Sequence, residues 1–304
     1  MAAITLLESS KLLQNGAPRA ALQIYANSYH PLQQLGFLPA EPGGVLSWAI
    51  EDTLGTAGGR AIGSDFTPDN GTNKPYKAVA AIYGGKVQVD RAIRVTNPAI
   101  VPDKKANKIR GFARQFTKDI FEGQGGTGLK GISHWIGNEY TGQLLDHSAA
   151  VITMAVMDAA YDKLNVIPGR TFFYMTQTPF LALNVLSRTN GTGQQNIVYA
   201  VDAFGRRVPF YNDVPIIVLK DGKGVDVIST VESTTAHTGG STTSVYGVTY
   251  GDDNFTGFQA APMTFIDHAN DTNFENFTME HIAGVAPRSF RSVVRIHSVK
   301  NALT

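Results

Sequence analysis

The sequence predicts an α+β fold, with helical and strand signals grouped in blocks and not alternating. Three observations lead there. Two β-patterned runs are separated by a long tract with almost no apolar content. One amphipathic helix of about twenty residues stands between turn signals, and the C-terminal half is a series of short apolar strands bounded by turns. The 304 residues suffice for one large domain or two modest ones with real cores. No repeat of fixed period is present, which excludes a solenoid or propeller.

Residues 1–43 are a polar, proline-punctuated lead-in with short amphipathic pieces at Leu6–Leu13 and Ala20–Tyr25. Pro31, Pro39 and Pro42, with Gly43–Gly44, break any long helix. Two readings stand: an arm lying on a neighbouring surface, or a segment packed on its own domain. Next, Leu46, Trp48 and Ile50 alternate with polar or small residues, and Val87, Val89, Ile93 and Val95 alternate with Gln88, Asp90 and Arg94. Between these runs lies GTAGGRAIGSDFTPDNGTNKP, residues 55–75. Loops of this length are functional or mobile. A long β-hairpin projecting from the body with a flexible tip is expected, the alternative being a surface loop without a role.

Pro102 and Asp103 signal a helix start, with Asp103 as the cap. Ile109, Phe112, Ala113, Phe116 and Ile120 form its apolar stripe, while Lys104, Lys105, Lys108, Arg110, Arg114 and Lys118 fill the rest. Gly123 is the expected left-handed cap. The stretch that follows, FEGQGGTGLKG, places Gly123, Gly125 and Gly128 in the pattern G-x-G-x-x-G. That fingerprint cradles a pyrophosphate only where a strand feeds a helix. These glycines follow a helix, so they read as a helix stop and a flexible turn. A second helix is signalled from Asp146 to about Lys163, with Ala149, Ile152, Val156, Ala159, Ala160 and Leu164 on one face and Pro168–Gly169 closing it. Buried strands are expected at Phe172–Met175 and Pro215–Leu219, a short helix at Phe180–Leu186, and turns at Asp202–Gly205 and Asp221–Gly224. An exposed loop over Ser229–Ser244 precedes strands at Val245–Tyr250, Pro262–Ile266 and Phe290–His297.

Net charge is +1, from 26 basic and 25 acidic residues, so bulk charge does not favour nucleic acid. Charged residues make up only 17% of the chain, a surface suited to burial against other subunits. The absence of cysteine excludes disulfides, thiol catalysis and cysteine-based metal sites. The longest apolar run, Ala149–Met157, is too short to cross a bilayer, and Glu8 among the first leucines argues against a signal peptide. A soluble cytoplasmic product is expected.

No phosphate loop, zinc-protease motif, nucleophile elbow or calcium loop occurs. The seven histidines, at 30, 134, 147, 237, 268, 281 and 297, are scattered. Asp267, His268 and Asp271, or Glu280 and His281, are the only acid–base or metal candidates, and neighbouring strand residues point to opposite faces. Asp252, Asp253 and Asn254 lack the spacing of a calcium loop. Arg291 and Arg295 share a strand face near Arg288, open to phosphate or to ion pairs with a neighbouring subunit. Asn70, Asn190, Asn254, Asn270 and Asn276 begin Asn-x-Ser/Thr triplets that report composition. No catalytic, cofactor-binding or metal residue is assigned, no cofactor is expected, and the chain is not read as an enzyme.

The arm, the projecting hairpin, the basic helix ending in FEGQGGTGLKGI and the closing run ENFTMEHIAGVAPRSFRSVVRIHSVKNAL, in that order, resemble the major capsid proteins of tailed bacteriophages, the Hong Kong 97-type capsid fold. Asp119–Ile132 resembles the end of that family's spine helix: an acidic residue, a glycine-rich turn, then Gly-Leu-x-Gly. The resemblance implies an N-terminal arm at 1–43 and an extended loop at 44–96 that overlaps a neighbouring subunit. It implies a peripheral domain at 97–165 with a spine helix at 103–122, an axial domain at 166–285, and a C-terminal strand at 286–304 returning to the body. By the same resemblance the protein is structural. It self-assembles through pentamers and hexamers into an icosahedral head around double-stranded DNA, without sequence-specific binding and with no membrane. Portal, scaffolding and decoration proteins are the implied partners, the virion its location, and the host bacterial cytoplasm its place of assembly. The chain begins at the arm, which implies a separate scaffolding protein or none. Some relatives cross-link a loop lysine to an asparagine of the next subunit; Lys74, Lys77, Asn273 and Asn276 are available, with nothing marking them for that chemistry. An encapsulin, a nanocompartment shell of the same fold that holds cargo enzymes, is the alternative. Readings from other classes are a nucleotide-binding enzyme using Gly123–Gly128 and a carbohydrate-binding module using Trp48, Trp135 and the tyrosines.

Overall fold

Proline and glycine punctuation divides the N-terminal segment into short pieces that the body sheet then buries. A computed structural model describes residues 4–5, 23–66, 69–189, 197–201, 207–232, 241–268 and 273–303. Strand β1 (Ile4–Thr5) is followed by two helical pieces, α1 (residues 23–28) and α2 (His30–Gln34), and by β2 (Gly36–Pro39), with which β1 pairs. Pro31 stands in the first turn of α2, where a missing N–H has no partner to lose. Tyr25, Ala26, Leu32 and Leu35 are fully buried in the chain's own core, so residues 23–39 pack on their own domain. Leu6–Leu13 lies outside the described residues.

The hairpin joins β3 (Val45–Thr53) to β4 (Thr72–Val79), in register from Val45 opposite Val79 to Glu51 opposite Asn73, with a one-residue shift before Thr53 meets Thr72. This corrects the expectation that the run at Val87–Val95 returns against β3. Strand β5 (Ala81–Asp90) instead crosses into the body sheet, and Ile93 and Val95 lie on a separate helix, α3 (Arg91–Thr96). The Asp90 carboxylate caps α3 by accepting from the Ala92 N–H at 2.7 Å, which is why the strand pattern stops there. The true return strand, TNKPYKAV, is exposed along nearly its whole length and has no alternation to read.

The long helix α4 (Ile100–Glu122) carries the expected stripe, with Ile109, Phe112, Ala113, Phe116 and Ile120 buried. It begins three residues before the expected 103, with Ala99 and not Asp103 at its cap; Pro102 fits within the first turn, and Asp103 there faces the positive end of the helix dipole. Gly123 ends it at φ −56°, so it is not a left-handed cap; Gly125 and Gly126 hold the left-handed positions instead. A short helix, α5 (Ile132–Asn138), and strand β6 (Leu144–Asp146) follow.

The second long helical signal starts later than Asp146. Helix α6 (Met154–Lys163) is capped by Thr153, whose hydroxyl accepts from the Val156 N–H at 3.4 Å, because Ser148 and Ala149 take positive φ. Then come β7 (Thr171–Met175), helix α7 (Gln177–Thr189), β8 (Ile197–Val201), β9 (Arg207–Tyr211) and β10 (Val214–Val218). Asp221–Gly224 is a turn in which the Asp221 carboxylate accepts from the N–H groups of Lys223 and Val225, at 2.8 and 2.9 Å; Asp202–Gly205 lies outside the described residues. Strand β11 (Thr242–Thr249) begins inside the span expected as an exposed loop. Its Thr243 and Ser244 are buried because their hydroxyls find the Ser229 carbonyl and the Glu232 carboxylate, at 2.8 and 2.6 Å. The chain closes with β12 (Phe255–Asp267), β13 (Phe274–Pro287), a 3₁₀ turn at Phe290–Ser292 and β14 (Val293–Lys300).

A five-stranded sheet in the order β1-β2-β12-β13-β5 lies under α4, and a seven-stranded sheet runs β6-β14-β11-β7-β10-β9-β8. Ile152, Met157, Ala160 and Leu164, on and around α6, share a core with Phe173, Ile216 and Val294 of the larger sheet. The blocks 97–165 and 166–285 therefore do not follow the sheets. β12 and nearly all of β13 fall within the second block but pair with β2 and β5, and α6 falls within the first but covers the larger sheet.

Candidate functional site: an assembly surface

The glycine turn after α4 is closed by its own backbone. The N–H of Gly123 binds the Asp119 carbonyl at 2.9 Å, Gly125 binds Leu129 at 3.1 Å, Gly128 binds Gly125 at 3.3 Å and Gly131 binds Gly123 at 2.9 Å. The Leu129 N–H binds the Tyr83 hydroxyl at 3.1 Å, and that hydroxyl donates to the Asp119 carboxylate at 2.8 Å. Burial raises the pKa of Tyr83, keeping it a donor. A phosphate would need these N–H groups, and none points outward. The glycines serve close approach: a methyl on Gly131 would fall on the Asp119 carbonyl. The turn is pinned, not flexible as its composition suggests.

The remaining candidates also resolve into structure. Arg288 donates to the Asp252 carbonyl at 2.6 Å and pairs with Asp253 at 3.7 Å, closing the corner between β11 and β12. Arg291 lies in the 3₁₀ turn, off the strand face, and its guanidinium meets the carbonyls of Asp162, Lys163 and Leu164 at the end of α6. Arg295 pairs with Glu232 at 3.1 Å. The three arginines are thus held within the chain. His268 meets the Thr278 hydroxyl at 2.6 Å, His281 is buried among aromatic rings, and Asp271 lies outside the described residues. Among the described residues no three His, Asp or Glu side chains converge as metal ligands. Trp48 and Trp135 are buried against each other, with ring centroids 5.4 Å apart, so they offer no platform to a sugar. Lys74 pairs with Glu139 at 3.5 Å, while Asn276 is buried in β13.

Several apolar side chains are exposed to solvent. On the hairpin tip Leu54, Ile62 and Phe66 are exposed, and on α3 Ile93 and Val95. β8 reads Ile-Val-Tyr-Ala-Val yet is exposed from Val198 onward, and among the described residues no strand pairs with its outer edge. Tyr199 ties it to α7 through Asn184 at 2.8 Å, beside the exposed Leu181 and Val185. An apolar edge strand is a template for another chain. Sequence periodicity could not find these surfaces, since apolar residues in a strand pattern read as core.

No protein-family model and no curated protein matches the sequence. Solved structures do match by shape. The holo-SrpI encapsulin complex from Synechococcus elongatus PCC 7942 is similar at TM-score 0.67 and 12% identity, over 90% of this chain and 89% of that one. The capsid asymmetric unit of cyanophage A-1(L) gives TM-score 0.63 and 12% identity over 90% and 94%. The Mycobacterium phage Ogopogo structure gives 0.59 and 11% over 89% and 92%. The chain therefore has the Hong Kong 97-type fold common to phage capsids and encapsulins.

Proposed function

We propose that the chain is a structural major capsid protein that self-assembles through pentamers and hexamers into the icosahedral head of a tailed phage, around double-stranded DNA. The observation that carries the reading is agreement with a phage capsid subunit over 90% of this chain and 94% of that one. The physics is compatible. Head-to-tail contacts of one chain close into rings, and the projecting hairpin with its exposed Leu54, Ile62 and Phe66 supplies apolar area for large interfaces. A net charge of +1 leaves packaged DNA able to move. On this reading the protein is not an enzyme, resides in the virion, assembles in the host cytoplasm and works with portal, scaffolding and decoration proteins.

An encapsulin shell is the second reading, favoured by the TM-score of 0.67 to an encapsulin. The test is expression of the full chain, followed by negative-stain microscopy and sedimentation. Capsomers, shells or tubes are expected; a strict monomer across salt and crowding conditions overturns both readings. In particles from the native source, nuclease-protected DNA supports the phage head, and a co-purified enzyme without DNA supports the encapsulin. Saturable nucleotide binding abolished by Gly125→Val would instead revive the enzyme reading.

A further inference from the structure

We infer that the docking of residues 23–39 on the body is a proton-sensitive latch, with His281 as its sensor. His281 lies on β13, fully buried, and neither ring nitrogen has a hydrogen-bond partner. Four aromatic rings from three elements surround it: Tyr25 of α1 at 5.8 Å, Phe37 of β2 at 5.8 Å, and Phe112 and Phe116 of α4 at 6.1 and 5.7 Å. The Tyr25 hydroxyl, beside it, is also buried without a partner. Buried polar groups are nearly always paired, so two orphans in one aromatic box call for an explanation.

No neighbouring charge compensates a proton there. α1 contributes Tyr25, and β2 contributes Phe37, which cannot titrate. From α4 the charged groups along this face are Lys105, whose ammonium lies over the Phe277 ring at 3.7 Å, Lys108, lying over Gly85, and Asp119, already bound to Tyr83 and Gln115; the two lysines add like charge and offer a proton on His281 no compensation. From β5, Tyr83 stands directly opposite His281 in the ladder. The stretch of β12 alongside, residues 260–265, is Ala-Ala-Pro-Met-Thr-Phe and holds nothing titratable. Burial alone lowers the His281 pKa, to about 4.

Two walls of the box are long elements: the paired strands β12, β13 and β5, and α4. The third, formed by α1 and β2, consists of short pieces, the kind of element that opens locally at small free energy. An imidazolium reaches water by displacing that wall. His281 must be neutral when the segment is docked and has the ordinary value near 6.5 when it is not. Docking is therefore fully supported above pH 6.5 and weakens as pH falls through 6.5 toward 4. At pH 5 the ratio of docked to undocked falls about 30-fold.

The inference stands independently of the shell reading, because it concerns one chain's own contacts. Hydrogen exchange on the full chain tests it, comparing pH 7.5 with pH 5 after correction for intrinsic rates, with β11 and β14 as internal references. Protection of amides within residues 24–38 should fall about 30-fold relative to those strands. In His281→Phe, which keeps the ring and cannot titrate, the fall should vanish. An equal fall in His281→Phe, or none in the unmodified protein, overturns the latch. Titration of the His281 ring proton by NMR serves should the variant not fold: a midpoint near 4 supports the latch, and one near 6.5 overturns it.

Discussion

Gly131 and Gly137 stand six positions apart and should respond oppositely to the same change. An added methyl at Gly131 would collide with the Asp119 carbonyl, an acceptor fixed by the end of α4. At Gly137, inside α5, nothing lies within 4 Å of the new atom. Gly131→Ala should lower stability by about 1–3 kcal/mol, the range for overpacking. Gly137→Ala should be neutral or stabilise by up to about 1 kcal/mol through helix propensity. Thermal unfolding of the two variants beside the parent chain checks both; a destabilised Gly137→Ala would contradict the open-space account. Arg291 shows where residue-level reading fails. Its spacing to Arg295 suggests a common strand face, but the turn at Phe290–Ser292 rotates it toward the carbonyls that end α6. Those acceptors lie more than 120 positions away in sequence, so no local pattern could name them.

Elements were legible in proportion to how one-sided their burial is. α4 is half buried along 23 residues, so its 3.6-residue stripe announces it; only its start slips, because the first turn is defined by dihedrals and not by apolar contacts. β4 is exposed nearly throughout, and β13 is buried on both faces over most of its length, with Glu275 and Asn276 among the buried residues; neither produces alternation. The sequence announces the hairpin but not its partner strand, since register depends on pairing that composition does not record. Its root is fixed by aromatic packing: Trp48 contacts Tyr76 at 5.9 Å and Trp135 at 5.4 Å, and Trp135 contacts Tyr140 at 6.2 Å. Trp48→Ala should cost about 3–5 kcal/mol. The one tryptophan left, Trp135, should then emit at longer wavelength as water enters beside it. An unshifted spectrum with an unchanged melting temperature would mean that the hairpin root is not anchored there.

At the scale of the whole molecule, the hairpin tip, α3, and β8 with α7 each present exposed apolar side chains, as do Ile82 and Val231 elsewhere on the surface. A monomer gains nothing by holding Ile62 fully exposed at the end of a long hairpin. The tip is held locally, by Asp69 accepting from the Thr56 N–H and hydroxyl at 3.0 and 2.8 Å, and these bonds do not reach the body. Tip and body should therefore be separable. Replacing residues 55–70 with an Asn-Gly turn preserves the pairing of Thr53 with Thr72 and matches the twist of a two-residue hairpin. The far-ultraviolet circular dichroism of the β-rich body should be retained, and the melting temperature should shift by no more than about 2 °C, as for surface changes that remove no core contact. Assembly should be lost or slowed at least tenfold, read by light scattering and sedimentation at equal protein concentration. Val198→Asp with Val201→Asp, on the open edge of β8, should give the same dissociation of folding from assembly by placing charge on a strand edge. Two variants at opposite ends of the chain's topology that fold normally yet fail to assemble would locate the function in these surfaces. Shells formed at the parental rate by the shortened hairpin would remove the tip from the interface and leave β8 as the surface to test.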